Sequence, residues 1–198
     1  VPDSYQGAEF LMLGNLMPKL QLSVINQLKV RPKLIVMDTM NFWMDVALED
    51  LKEVLKKVDV LLVNDGEARQ LSGEVSLVKA ANKILQMGPT FLIIKKGEHG
   101  ALLFHDKHVF FAPALPLEEV FDPTGAGDTF AGGFIGHLAK TKDISFENMK
   151  TAIIVGSAMA SFCVEKFGAE RLKEITKADI DERLAEFVQL VNFDIDLV

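Results

Sequence analysis

The chain has a single cysteine, Cys163, so no disulfide can form within it. That scarcity implies a reduced, cytoplasmic setting. Positive charge is also short: 21 Lys and Arg stand against 28 Asp and Glu, a formal net charge of −7, with no basic run. Nucleic acid is disfavoured as a partner, because binding to a phosphate backbone draws on clustered lysine and arginine. An anionic membrane surface is disfavoured on the same ground. No apolar run is long enough to span a bilayer. The longest, Ala152 to Val164, is interrupted by Gly156, Ser157 and Ser161. Val1-Pro2-Asp3 lacks the basic and apolar regions of a signal peptide, and a valine start fits a fragment or a processed chain. There is no internal repeat, linker or low-complexity segment.

What is present suits a single α/β domain over residues 1–198, with 49% hydrophobic and 25% charged residues. Short apolar runs alternate with amphipathic stretches. Phe10–Leu13, Leu34–Met37, Val60–Val63 and Phe91–Ile94 read as buried strands, and the last three end at Asp38, Asn64 and Lys95. Helices are expected from Pro18 through Leu28, over Leu48 to Val58, and over Leu77 to Met87 before Gly88-Pro89. A hairpin is expected around His105-Asp106-Lys107. A nearly all-apolar helix follows from Phe146 to Val164, and a last one from Lys177 to Val191 behind the capping pattern Thr176-x-x-Asp179. This alternation predicts a doubly wound, mostly parallel sheet with helices on both faces. In such sheets ligands bind beyond the carboxyl ends of the strands.

The stretch richest in chemistry is Phe121-Asp122-Pro123-Thr124-Gly125-Ala126-Gly127-Asp128-Thr129-Phe130. Asp-Pro excludes helix interior, and Gly125 and Gly127 free the backbone. From Asp128 onward Phe130, Phe134 and Leu138 recur at helical spacing. The amides of Gly125, Ala126 and Gly127 then open a helix, where unpaired donors and the macrodipole favour an anion. Asp128 puts a carboxylate at the same point. An anion hole beside a base is what moving a phosphoryl group onto a hydroxyl requires. Two plainer readings compete. The glycines could make only a tight turn with Asp128 as a helix-start acid. A dinucleotide-binding loop would need Gly-x-Gly-x-x-Gly directly after an apolar strand. Here Asp-Pro precedes the loop, and the third glycine, Gly132, is out of place.

Asp-Pro-Thr-Gly-Ala-Gly-Asp-Thr-Phe resembles the C-terminal signature of the ribokinase-like (PfkB-type) carbohydrate and nucleoside kinases. The resemblance implies Asp128 as catalytic base and the preceding amides as anion hole. Asn64-Asp65-Gly66-Glu67 resembles the family's Asn-x-x-Glu motif, which works near nucleotide phosphates and magnesium. Glu67 would face magnesium directly or through water, and Asn64 or Asp65 could equally cap a helix. Lys95-Lys96-Gly97-Glu98-His99-Gly100 resembles the family's nucleotide loop, with Gly97 and Gly100 in place and Lys95 where threonine is usual. Gly168 falls where the family closes its adenine pocket. Asp122 and Thr124 occupy positions whose carbonyls help some members hold a monovalent cation such as potassium. Asp38-Thr39-Met40-Asn41 resembles an Asp-x-Asn motif, followed here by Phe42-Trp43 where arginine is common. Trp43 could line the substrate side or pack between helix and sheet, with packing the expected role, and His99 reads as a surface histidine.

The implied activity is ATP- and magnesium-dependent phosphorylation of a small sugar or nucleoside. Family members carry an upstream portion with a lid, a Gly-Gly motif and a sugar-binding carboxylate, and nothing before Phe10 resembles these. The alternative is therefore a nucleotide-binding module or inactive fragment without an acceptor pocket. The sequence leaves the acceptor and the oligomeric state open, a homodimer included.

Overall fold

The structure, a computed structural model, describes residues 1–192. The chain divides into two compact units, one of Val1–Gly97 with Ala101–Phe111, the other of Glu98–Gly100 with the residues from Ala112 onward.

The first unit carries a six-stranded sheet whose strands lie in sequence order. They are β1 (Phe10–Leu13), β2 (Leu34–Asp38), β3 (Val60–Asn64), β4 (Phe91–Lys95), β5 (Ala101–His105) and β6 (His108–Ala112). β1 to β4 are parallel, with Phe10 opposite Leu34, Val36 opposite Val60 and Val60 opposite Phe91. β5 turns back antiparallel to β4, with Leu92 opposite Phe104. The crossovers are α1 (Pro18–Gln27), α2 (Asn41–Val46) with α3 (Leu48–Leu55), and α4 (Asp65–Ser72) with α5 (Leu77–Leu85). The expected mostly parallel α/β sheet is what is seen.

Strand alternation explains the core. Ile35, Met37, Leu61, Val63, Leu92 and Ile94 meet Leu51, Val54, Leu55, Ala68, Leu71, Ala81 and Ile84 of the crossover helices in one cluster. The intervening Leu34, Val36, Val60, Leu62 and Ile93 are equally buried. Both faces of the central strands are dry, which is why their sequence reads as unbroken apolar runs.

The second unit is helical: α6 (Ala126–Thr141), α7 (Phe146–Cys163) and α8 (Lys177–Val191). Phe130, Phe134, Leu138, Met149, Ile153, Phe162 and Phe187 are buried in it. α8 starts at the expected Thr176–Asp179 capping box. Arg183 fastens α8 to α7, with Nη1 donating to Ser161 Oγ at 2.7 Å and the guanidinium 3.9 Å above the Phe162 ring.

Candidate active site

In the second unit the signature loop is hung from the end of α7. The amides of Phe121 and Asp122 both donate to the Val164 carbonyl, at 2.8 and 3.3 Å. Asp122 Oδ1 accepts from the Thr124 amide at 2.9 Å. Backbone hydrogen bonding from Thr124 is the chief reason that the Asp122 carboxyl sits below its ordinary range. Gly125 stands at φ +82°, the left-handed region that a Cβ disfavours, and it is the N-cap of α6 with no side-chain cap. Its carbonyl accepts from both the amide and the hydroxyl of Thr129, at 2.9 and 2.8 Å. The Ala126 amide turns back on Pro123 O at 3.2 Å. Among the described residues no protein oxygen accepts from the Gly127 or Asp128 amide. Those donors open α6, and the exposed Asp128 carboxylate lies in the same first turn.

Cys163 lies beneath this loop. Its buried thiol is 3.7 Å from Thr124 O and 3.8 Å from Gly168 O, so the signature loop and the turn at Gly168 share one seat. Gly168 is itself in a left-handed turn at φ +57°. Neither Cys163 nor the double role of Thr129 was singled out from the sequence. The only trace of the first was a thiol at the end of an otherwise apolar helix.

In the first unit Asp38, Asn64 and Lys95 end β2, β3 and β4 at one carboxyl edge. Asn64 is opposite Lys95 in the β3–β4 register. Lys95 Nζ stands 2.9 Å from Asp38 Oδ2. Asn64 and Glu67 form a reciprocal capping box: Glu67 N donates to Asn64 Oδ1 at 2.8 Å, and Asn64 N donates to Glu67 Oε2 at 2.7 Å. Burial pushes the half-buried Glu67 carboxyl up, against the opposing pull of the Asn64 amide and the Lys95 charge. Beyond Lys95 the loop holds Gly97 and Gly100 at positive φ. His99 is 72% exposed at its side chain, as expected of a surface histidine. Trp43 Nε1 donates to Asn15 Oδ1 at 2.8 Å, and its ring meets Phe42 edge-on.

Among the described residues no three His, Cys, Asp or Glu side chains are gathered to hold a metal ion. One half-buried carboxylate with an oxygen tied to a backbone amide still fits magnesium, which keeps several waters and takes substrate phosphates instead of an all-protein cage. No helix among the described residues is long and apolar enough to cross a membrane.

The first unit is an α/β sheet with polar strand ends, and in the second a glycine opens a helix that bears a carboxylate in its first turn. Residues 5–176 match the pfkB family carbohydrate kinases, and the chain belongs to that family. It is 28% identical over 182 residues to the cytidine kinase of Thermococcus kodakarensis, covering 89% of this chain and 58% of that protein. Staphylococcus aureus ribokinase is 32% identical over 123 residues, covering 60% of this chain and 39% of the relative. The crystal structure of Thermotoga maritima ribokinase aligns with a TM-score of 0.74 at 25% identity, covering 92% of this chain and 59% of that one. Aminoimidazole riboside kinase of Salmonella enterica, solved with aminoimidazole riboside and an ATP analog, shares the fold at a TM-score of 0.69 and 21% identity, covering 90% of this chain and 63% of that one.

Proposed function

We propose that the chain carries the phosphoryl-transfer machinery of an ATP-dependent kinase acting on a hydroxyl of a sugar or nucleoside. The observation that carries this reading is the start of α6, where unpaired amides and the Asp128 carboxylate share one turn. Asp128 takes the proton of the acceptor hydroxyl as the phosphoryl group moves onto it. The amides of the Gly125-Ala126-Gly127 stretch stabilise the developing charge. With Ala126 turned towards Pro123, Gly127 and Asp128 supply the freer donors.

Asn64 and Glu67 serve the phosphate side, and magnesium near Glu67 would neutralise phosphate charge. The loop from Lys95 through Gly97 and Gly100, and the turn at Gly168, serve the nucleotide. The carbonyls of Asp122 and Thr124 suit a monovalent cation such as potassium. Family membership and the ATP analog in the Salmonella structure support ATP as donor. The names of the cytidine kinase and ribokinase relatives support a small hydroxylated acceptor.

Calorimetric titration with ATP, with and without magnesium, tests this reading together with a coupled assay over a panel of sugars and nucleosides. Magnesium-dependent ATP binding and phosphorylation of one acceptor class are expected. Tight NAD binding indifferent to magnesium would overturn it, and ATP binding without turnover on any acceptor would favour the binding-module alternative.

A further inference from the structure

The Asp38–Lys95 pair bridges the end of a strand that contributes to neither residue. Asp38 ends β2, Lys95 ends β4, and β3 lies between them in the sheet. The two side chains keep only 9% and 19% of their exposure, and the ion pair measures 2.9 Å. The rest of Asp38 is already engaged. Its Oδ1 accepts from the Thr39 amide at 2.8 Å, and its carbonyl accepts from the buried Gln21 Nε2 at 3.3 Å. Lys95 is the one cation paired with Asp38 among the described residues. Drawing that ammonium away would strand a buried carboxylate. The cost is equivalent to roughly 10²–10³-fold in the affinity of any ligand that did so. A stranded carboxylate would also repel a polyphosphate arriving at the same edge. Glu67 feels both partners, since Lys95 favours its ionised form and Asp38 opposes it.

We propose that Lys95 is a positioning residue and not a phosphate ligand: it holds Asp38 in place and cancels its charge, leaving Glu67 as the edge's uncompensated carboxylate. The proposal rests on the nucleotide reading above and refines it. It also accounts for a lysine where the family resemblance has threonine. The ammonium answers an acid two strands away, so its charge is spent before any phosphate arrives.

The test is a double-mutant cycle on the 198-residue chain: Lys95→Met, Asp38→Asn and both together, read by thermal midpoint and by calorimetric affinity for magnesium-ATP. Lys95→Met is expected to lower the midpoint by roughly 6–20 °C, the cost of a stranded buried charge. It is also expected to weaken ATP by about tenfold or more, the repulsion of an uncancelled charge at the edge. Asp38→Asn in the Lys95→Met background should recover most of the midpoint and bring ATP affinity to within about threefold of wild type. A double variant as weak for ATP as Lys95→Met would make Lys95 a direct ligand and overturn the proposal. Simply additive midpoints would overturn it as well. Should Lys95→Met fail to fold, the double variant set beside wild type still decides: ATP affinity within about threefold supports positioning, and a loss of about tenfold or more makes Lys95 a ligand. A wild-type chain that binds no ATP would sink the kinase reading and the role of Lys95 at its nucleotide site, while the midpoint cycle still shows whether the two side chains couple.

Discussion

Gly156 of α7 lies so close to Phe130 of α6 that a Cβ built on it would stand 2.7 Å from the Phe130 carbonyl oxygen. On the α6 side, a Cβ on Gly133 would come 3.0 Å from Gly156 Cα. The two helices therefore meet backbone to backbone. α6 begins with the signature loop, and the last turn of α7 receives the amides of Phe121 and Asp122. Helix spacing and loop position are set together. Gly156→Ala is expected to destabilise by about 1–3 kcal/mol through overpacking. Urea denaturation reads the loss, and a parallel fall in ATP affinity is expected because the loop moves with its helix.

Asp128→Asn keeps the size of the side chain and can still serve a helix start. It should leave nucleotide affinity nearly intact and lower turnover by roughly 10²–10⁴, the usual worth of a general base. Initial rates on the acceptor found by the panel, set beside calorimetric affinities, check this. Unchanged turnover would remove Asp128 as the base and leave it a helix-start acid.

The raised Glu67 carboxyl gives stability a pH dependence with a definite sign. Folding holds its proton more tightly than the unfolded chain does. The stabilising contribution is therefore present below the ordinary glutamate value of about 4.3 and is lost as pH climbs through the raised one. Glu67→Gln removes that titration yet keeps the cap, since glutamine serves at the same capping-box position. Melting curves from pH 4 upward should show the variant gaining on wild type as pH rises through this window. A gap that stays constant with pH would show that Glu67 does not titrate there.

Thr39 is 4% exposed and its hydroxyl has no protein partner. Replacing it with isosteric valine removes an unmet polar group, so Thr39→Val should be neutral or stabilise by up to about 1 kcal/mol. A loss larger than that, measured in urea, would show that the hydroxyl is held by water or ligand.

The strands were legible because parallel strands buried on both faces must be unbroken apolar runs, and Leu34–Met37 and Val60–Val63 are such runs. The capping pair Thr176 and Asp179 was legible because its bonds span one helical turn. α2 was not read. Its six residues bury only Met44, too little to set a helical period. The Asp38–Lys95 pair joins residues 57 apart at the ends of non-adjacent strands, and no local pattern announces such a contact. For Asn64 and Glu67 the sequence allowed both a cap and a phosphate-side role. The structure shows the cap, with Glu67 retained at the strand edge. The turn of the Ala126 amide towards Pro123 depends on the left-handed Gly125, a backbone choice that glycine permits without signalling it.

The sequence order of the strands bears on how the chain is made. Among these strands, each from β2 to β5 leaves the ribosome after the neighbour beside which it pairs. Among β1 to β5, each next strand therefore meets an edge that is already made. Each parallel partner is nevertheless a whole crossover away in sequence, Phe10 from Leu34 and Val60 from Phe91, so an apolar strand such as Val60–Val63 keeps one edge open to other nascent chains until the next crossover is complete.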